Sequence, residues 1–151
     1  MLDDGTPIAP ALSGQQTIAL WATPKSSVGV WGADFTTLAP LSLSDASQHA
    51  SVTYDFICAG GIYNLDLLHF VGPNRGIYSI SIDGVPVATI DGYSANYQSG
   101  GAGVGAPIMS TIVGIGLVSG AHVITFAMDT KNASSSSYYG SLSSVVLTRS
   151  R

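Results

Sequence analysis

Apolar and polar residues alternate along most of the chain after residue 50, which is the pattern of half-buried β-strands. Two such runs, residues 77–82 and 85–90, are joined by Asp83-Gly84. Asp-Gly is a preferred two-residue loop of the type I′ turn, because both central residues of that turn take positive φ angles. The sequence therefore predicts a β-hairpin here. Three side chains of its first strand are expected to share one face: Tyr78, Ile80 and Ile82.

The same alternation predicts further strands on both sides of this hairpin. After residue 50 they cover residues 51–58, 62–70, 108–117, 121–129 and 142–148. Before residue 50, shorter strands are predicted at residues 17–22 and 28–31, separated by a connector at 23–27, with one more within 37–43. About seven strands thus follow residue 50, at the spacing typical of a β-sandwich.

Two segments lack this periodicity. Residues 1–15 contain two prolines and two glycines, which predicts an extended N-terminal arm preceding a single β-sandwich domain at residues 16–151. Residues 91–107 are rich in glycine and predict a long loop, and long loops in compact domains are usually functional or flexible.

Composition supports an all-β fold and argues against nucleic acids and membranes as binding partners. Only 9% of the residues are charged, all nine acidic residues are Asp, and the strong helix formers Glu, Lys and Arg are scarce. A net charge of −4, with five basic residues that form no run, argues against nucleic-acid binding. No apolar run approaches the ~18 residues that a membrane span needs, so we expect no membrane insertion.

High apolarity and few charges also predict that part of the surface is covered by other chains. The mean hydropathy is +0.36, and large apolar surfaces without a membrane segment usually mark protein–protein contacts. We therefore expect a homo-oligomer, with a trimer favoured, or assembly with other chains into a larger particle.

Catalytic and metal-binding patterns are not found in the sequence. The three histidines lie on separate segments, without the close pairing of a zinc site: His49, His69 and His122. Cys58 falls in a strand pattern and is expected to be a buried thiol. Asp55 and Asp66 could face each other on adjacent strands as a carboxylate pair, although outward strand positions explain them as well. We predict no catalytic residue, no metal site and no cofactor.

The ordered set of strand and turn signals resembles a known family, the galactose-binding-like jelly-roll β-sandwiches. Such domains serve as carbohydrate-binding modules and as appended domains of phage tail and head fibres. The resemblance is carried by five pieces of the sequence: Gly61-Ile62-Tyr63, Arg75-Gly76-Ile77-Tyr78, Ile82-Asp83-Gly84, Gly120-Ala121-His122-Val123-Ile124, and Lys131-Asn132-Ala133-Ser134 before Tyr138-Tyr139.

This resemblance implies a jelly-roll fold and a non-catalytic glycan-binding or assembly role. Ser143 stands where the family normally has an Asp, which is a departure from its pattern. Relatives of the family often bind calcium, but the sequence has no acidic cluster, and we assign no metal ligands. Asp45 and Asp129 are the first residues to examine for such an ion.

Loop residues of two kinds make glycan binding chemically reasonable. Sugars present apolar C–H faces that stack on aromatic rings, and hydroxyls that pair with planar polar groups. The candidate glycan-binding residues are Asn74, Arg75, Tyr93, Tyr97, Gln98, Asn132, Tyr138 and Tyr139. The alternative is that these tyrosines close the ends of the sandwich or pack on a neighbouring subunit.

Three functional classes follow from these patterns. The first is a non-enzymatic bacteriophage surface module, such as a head fibre, decoration or tail-fibre protein. It would lie on the exterior of the virion, contact other virion proteins and be able to bind host glycans. It is favoured by the Gly/Ser-rich, charge-poor composition and by a start that lacks the features of a signal peptide. The alternative is an extracellular carbohydrate-binding module of a secreted polysaccharide-degrading enzyme. A small hydrolase would need a nucleophile, a base and an orienting group in one cleft.

Overall fold

Eleven β-strands make up the part of the chain that the structure describes. The computed structural model describes residues 15–20, 25–29, 31–33, 41–43, 48–95 and 106–151. The strands are β1 (Gln15–Ala19), β2 (Ser26–Val28), β3 (Trp31–Ala33), β4 (Leu41–Leu43), β5 (Ala50–Cys58), β6 (Gly61–Val71), β7 (Ile77–Ile82), β8 (Val85–Asp91), β9 (Ala106–Leu117), β10 (Gly120–Thr130) and β11 (Ser141–Arg149). None of the described segments is a helix long and apolar enough to cross a bilayer.

The strands form two antiparallel sheets. The six-stranded sheet has the order β3-β4-β11-β6-β9, with β1 also pairing with β11, and the five-stranded sheet has the order β2-β5-β10-β7-β8. The chain passes repeatedly between the two sheets, as β6 and β7 do, which is the connectivity of a jelly-roll sandwich. The predicted all-β jelly-roll fold is confirmed.

The core lies between the sheets and follows the alternation read from the sequence. Every second residue of β5 and of β10 is buried, and the intervening residues face outward. The largest fully buried side chains include Tyr78, Phe126 and Leu65. Burying an aliphatic or aromatic side chain of this size contributes about 1.5–3 kcal/mol, so these facing rows hold the two sheets together.

The β7–β8 hairpin has the predicted geometry. Asp83 and Gly84 have φ angles of 52° and 79°, which are the two positive values of a type I′ turn. Tyr78, Ile80 and Ile82 are buried on one face of β7, as the alternation predicted.

Three of the predicted boundaries were wrong. Residues 28–31 do not form one strand, because Gly29 takes a φ of 87° and separates β2 from β3. Ser26 and Ser27, predicted as a connector, lie in β2 and pair with β5. The predicted loop at residues 91–107 is also shorter, since Asp91 ends β8 and residues 106–107 pair with the end of β6.

Strand direction gives the sandwich two distinct ends. At one end, which we call the loop end, the segments 72–76, 91–95 and 131–140 connect or leave the strands. At the other, the hairpin end, lie the β7–β8 turn at residues 83–84 and the β9–β10 turn at residues 118–119. The first fourteen residues of the predicted N-terminal arm lie outside the described residues, and Gln15 begins β1.

Candidate functional site

Backbone hydrogen bonds join the three segments of the loop end into one unit. Gly72 bridges to Tyr93, and Arg75 bridges to Tyr139, each in parallel orientation. The Tyr139 amide donates to the Asn74 carbonyl at 3.1 Å, and the Gly72 amide donates to the Gly92 carbonyl at 2.9 Å. Because backbone fixes the positions of these residues, the side chains they carry are presented on a common support.

Gly92 is needed where the segments approach most closely. A Cβ atom at this position would lie 2.7 Å from the Gly76 carbonyl oxygen and 2.9 Å from the Arg75 Cβ. The Gly92 amide also donates to the Gly76 carbonyl at 3.0 Å, so the two backbones are in direct contact. Only a residue without a side chain fits this crossing.

Asp91 and Asn132 cross-link two of the segments. One carboxylate oxygen of Asp91 accepts the Tyr93 amide at 2.9 Å, and the other accepts Asn132 Nδ2 at 2.7 Å. Asn132 Oδ1 in turn accepts the Ser134 amide at 3.0 Å. Both ends of the Asn132 amide are thus engaged within the protein, which gives this predicted glycan contact a role in building the site.

Arg75 lies beneath the surface of the loop end. Its relative exposure is 3%, and burial lowers its pKa, an effect that the neighbouring Tyr78 and Tyr139 partly oppose. Ser135 Oγ donates to the Arg75 carbonyl at 2.7 Å, which ties this residue to the third segment. A side chain this deeply buried supports the surface residues above it.

Lys131 and Tyr138 form a cation–aromatic pair. The Lys131 Nζ lies 5.9 Å from the centroid of the Tyr138 ring and donates to the Ser135 carbonyl at 2.5 Å. A cation at this distance is attracted to the ring face, which restricts the orientation of both side chains. Lys131 was not among the predicted glycan contacts, although its position beside Asn132 was a usable signal.

The structure brings six of the eight predicted glycan-binding residues to the loop end. Asn74, Tyr93, Tyr138 and Tyr139 are half-buried there, above Arg75, and Asn132 completes the set. Tyr97 and Gln98 lie outside the described residues. The assignment of these residues as glycan contacts stays a prediction.

A buried polar layer lies directly under the loop end. The Tyr78 hydroxyl accepts the Ser141 amide at 3.0 Å and lies 3.2 Å from the Ser141 carbonyl oxygen. Next to it, the His69 ring packs edge-on at a centroid distance of 5.4 Å, with Nε2 at 2.8 Å from Ser110 Oγ. These contacts join β6, β7, β9 and β11 just below the candidate site.

The outer face of the five-stranded sheet carries a second candidate surface. A groove of about 610 Å³ lies over β7, β8 and β10. Its lining combines small hydroxyl and aliphatic groups with one carboxylate: Ser79, Ser81, Pro86, Thr89, Ala127 and Asp129. The volume suits a small ligand, but its described lining contains no aromatic ring on which a sugar could stack.

Two groups considered for catalysis in the sequence, the Asp55–Asp66 pair and the Cys58 thiol, are not placed for it. Asp55 and Asp66 lie in different sheets, so the pairing considered for them is wrong; the alternation of each strand places both outward. Asp55 pairs with Lys25 Nζ at 2.9 Å, and Asp66 accepts a hydrogen bond from Thr111. Cys58 is buried, as predicted, and burial raises the pKa of its thiol, which disfavours the nucleophilic thiolate.

Comparison with known proteins identifies the fold. No protein-family model matches the sequence, and no curated protein matches it. Among solved structures, the chain is similar to the CBM36-1 domain of a multidomain xylanase from the hindgut metagenome of Trinervitermes trinervoides. The two are 14% identical, with a TM-score of 0.66, over 91% of this chain and 98% of that one.

Two further solved structures show the same likeness. A carbohydrate-binding module, CBM36, in complex with calcium and xylotriose has a TM-score of 0.65 at 12% identity, over 88% of this chain and 99% of that one. A family 35 carbohydrate-binding module from an environmental isolate has a TM-score of 0.63 at 12% identity, over 89% and 93%. The chain therefore has the jelly-roll fold of carbohydrate-binding modules.

Calcium in one of these structures raises the question of whether this chain fits the ion. Calcium takes six to eight oxygen ligands, usually including several carboxylates. In the described part of the chain, no group of three or more Asp, His or Cys side chains is placed to hold a metal. Asp129 is paired with His49 Nδ1 at 3.0 Å, and Asp45 lies outside the described residues. The described residues do not fit a calcium site.

Proposed function

We propose that this chain is a non-enzymatic carbohydrate-binding module that binds a glycan at the loop end. The observation that carries the proposal is the convergence of Asn74, Tyr93, Tyr138 and Tyr139 on one backbone-linked surface. These residues come from three segments that are far apart in the sequence. Their assembly at one end of a carbohydrate-binding-module fold supports a common role.

The chemistry of these side chains suits a sugar. Half-buried tyrosines offer a ring face for stacking against C–H groups and a hydroxyl for hydrogen bonding. Asn74 adds a planar amide with two donors and one acceptor oxygen, which matches sugar hydroxyls. The supporting contacts of Asp91, Asn132 and Arg75 hold the segments in place before a ligand arrives, which lowers the entropic cost of binding.

Two kinds of protein could contain such a module: a polysaccharide-degrading enzyme or a bacteriophage virion. We favour a module of an extracellular polysaccharide-degrading enzyme, because the fold is similar to a module of a multidomain xylanase. The virion role rests on composition and on the resemblance to phage-fibre domains, and it stays a prediction. Both classes share the same surface chemistry, so the first test concerns binding itself.

Affinity gel electrophoresis tests the proposal. The wild-type chain is run through gels that contain xylan, β-mannan or β-1,3-galactan, beside a gel without polysaccharide. We expect at least one polysaccharide to retard the chain, and Tyr138→Ala or Tyr139→Ala to abolish most of that retardation. Val85→Ala is the control, since Val85 is exposed at the hairpin end.

Circular dichroism and thermal melting of each variant separate loss of binding from loss of fold. Retardation that is unchanged in folded Tyr93→Ala, Tyr138→Ala and Tyr139→Ala variants would remove the loop end as the binding surface. A wild-type chain that none of these polysaccharides retards would count against the proposed function.

A further inference from the structure

His122 occupies an unusual position at the hairpin end. Its side chain is 4% exposed, and both of its ring nitrogens face acceptors: Nδ1 lies 2.6 Å from Asp83 Oδ2, and Nε2 lies 2.9 Å from the Val118 carbonyl oxygen. A neutral imidazole has a single N–H group and can donate to only one of them. The geometry thus matches the imidazolium form, which donates to both.

Asp83 connects this ring to the β7–β8 turn. It is the first central residue of the type I′ turn, and its second carboxylate oxygen accepts the Val123 amide at 2.9 Å. The Asp83 amide donates to the Val123 carbonyl at 2.8 Å. The turn is thus attached to β10 by three hydrogen bonds, of which the one from His122 is charge-assisted and changes with the protonation of the ring.

The surroundings of the ring contain few other ionisable groups. From β5, Phe56 packs against the ring at a centroid distance of 5.3 Å, and the buried Cys58 thiol points to the same Val118 carbonyl. The β6 strand contributes Tyr63, whose hydroxyl donates to the Ala59 carbonyl. Burial raises the pKa values of Cys58 and Tyr63, so both stay neutral near pH 7. Of the described charged groups, Asp83 is the one bonded to the ring.

We propose that His122 and Asp83 form a pH-dependent latch that holds the β7–β8 hairpin against β10. The hairpin also supplies Gly84 and Pro86 to the lining of the groove on the five-stranded sheet. Opening of the latch therefore loosens one wall of that groove. The inference does not depend on the proposed function, because it concerns the opposite end of the sandwich.

The direction of the pH effect follows from the two partners. Burial lowers the pKa of His122, but the hydrogen bonds to Asp83 and Val118 outweigh it, and the net pKa is raised above 6.5. The hydrogen bond from His122 is the main reason that the pKa of Asp83 is lowered below 3.8. The histidine contribution is complete below pH 6.5 and is lost as pH rises through its folded pKa; the aspartate contribution is lost as pH falls below 3.8. The latch is strongest between these values.

Two measurements on the full chain test the latch. Nuclear magnetic resonance follows the His122 ring signals through a pH titration, and hydrogen exchange measures protection of the Ile82 and Val85 amides, corrected for intrinsic exchange rates. We expect a His122 midpoint above 6.5 that falls in Asp83→Asn, which keeps a residue suited to positive φ. As pH rises through the titration of the ring, protection of the hairpin amides should fall. The total fall should be about tenfold for each pH unit that separates the measured His122 midpoint from 6.5.

The variants keep the test decisive. In His122→Gln, the pH-dependent step in hairpin protection should disappear while the protection of the β5 amides remains. A wild-type His122 midpoint at or below 6.5 would overturn the proposal. So would hairpin protection that stays constant throughout the wild-type titration of the ring.

Discussion

His69 gives the clearest expectation for how acid destabilises this protein. Its side chain is 1% exposed, Nε2 bonds to Ser110 Oγ, and Nδ1 has no hydrogen-bond partner among the described residues. Burial lowers the pKa of His69 from 6.5 to about 4. A proton added to this ring would place a charge in the core beside Tyr78, and no carboxylate of the described residues is bonded to the ring to balance it. The folded chain therefore keeps the ring neutral near pH 7.

The size of the effect follows from the two pKa values. Because the folded pKa is depressed, the stability associated with neutral His69 is fully present above pH 6.5. It is lost as pH falls from 6.5 to about 4, because in this range the unfolded chain binds the proton more readily than the folded chain. At about 1.36 kcal/mol per unit, the complete loss is about 3 kcal/mol. For a chain of this length, that corresponds to a fall in Tm of roughly 6–12 °C.

Urea denaturation of wild type and His69→Gln at a series of pH values measures this contribution. Glutamine can keep the hydrogen bond to Ser110 but does not titrate, so we compare the change of unfolding free energy with pH and not its absolute value. From about pH 7.5 to about pH 4.5, wild type should lose about 2.5 kcal/mol more than His69→Gln, because the last part of the loss occurs below about pH 4.5. His49→Gln is the control, since the His49 side chain is 71% exposed. Equal losses in wild type and His69→Gln would refute the reasoning.

Three further predictions concern packing and assembly. Tyr78→Phe removes the acceptor of the Ser141 amide in a fully buried position and should lower the unfolding free energy by about 1–3 kcal/mol. Tyr63→Phe removes a hydrogen bond to the Ala59 carbonyl that is only part-buried, so it should lower the unfolding free energy less. Equal losses for the two variants in urea denaturation would contradict this difference in burial. Gly92→Ala places a methyl group 2.7 Å from a backbone oxygen and should lower the unfolding free energy by about 1–3 kcal/mol. Gly116→Ala is the control, because its methyl group meets only an ordinary van der Waals contact. Equal melting temperatures of the two variants would show that the loop end is not tightly packed. Light scattering with size-exclusion chromatography tests the predicted homo-oligomer, for which we expect a multiple of 15.4 kDa, and a monomer mass at all concentrations would rule it out.

Local sequence chemistry was enough to predict the framework. Asp83-Gly84 specifies its turn because few other residue pairs accept two positive φ angles, and that hairpin fixes which residues of β7 face the core. Alternation identified the other long strands in the same way, since its period of two reports the buried face directly. The break at Gly29 could not be predicted, because an isolated glycine is tolerated both within strands and at their ends.

The candidate site was predictable only in part. Asn74, Tyr93 and Tyr139 were selected because they lie in loops between predicted strands, and antiparallel strands return those loops to the same end. The burial of Arg75 and the bond between Asn132 and Asp91 depend on contacts between segments that are about 40 to 60 residues apart. Such long-range contacts leave no local pattern in the sequence. Residue type alone therefore predicted that Arg75 and Asn132 contact a glycan, whereas in the structure both hold the segments of the loop end together.

Chemical-shift mapping is the measurement that tests glycan binding at the loop end most directly. The ¹⁵N-labelled chain is titrated with xylotriose, mannotriose and a β-1,3-linked galactotriose. We predict that at least one of them shifts amide signals concentrated in residues 72–76, 91–95 and 131–140. Shifts confined to the groove on the five-stranded sheet or to the hairpin end, or no shifts with any of the three, would contradict the account.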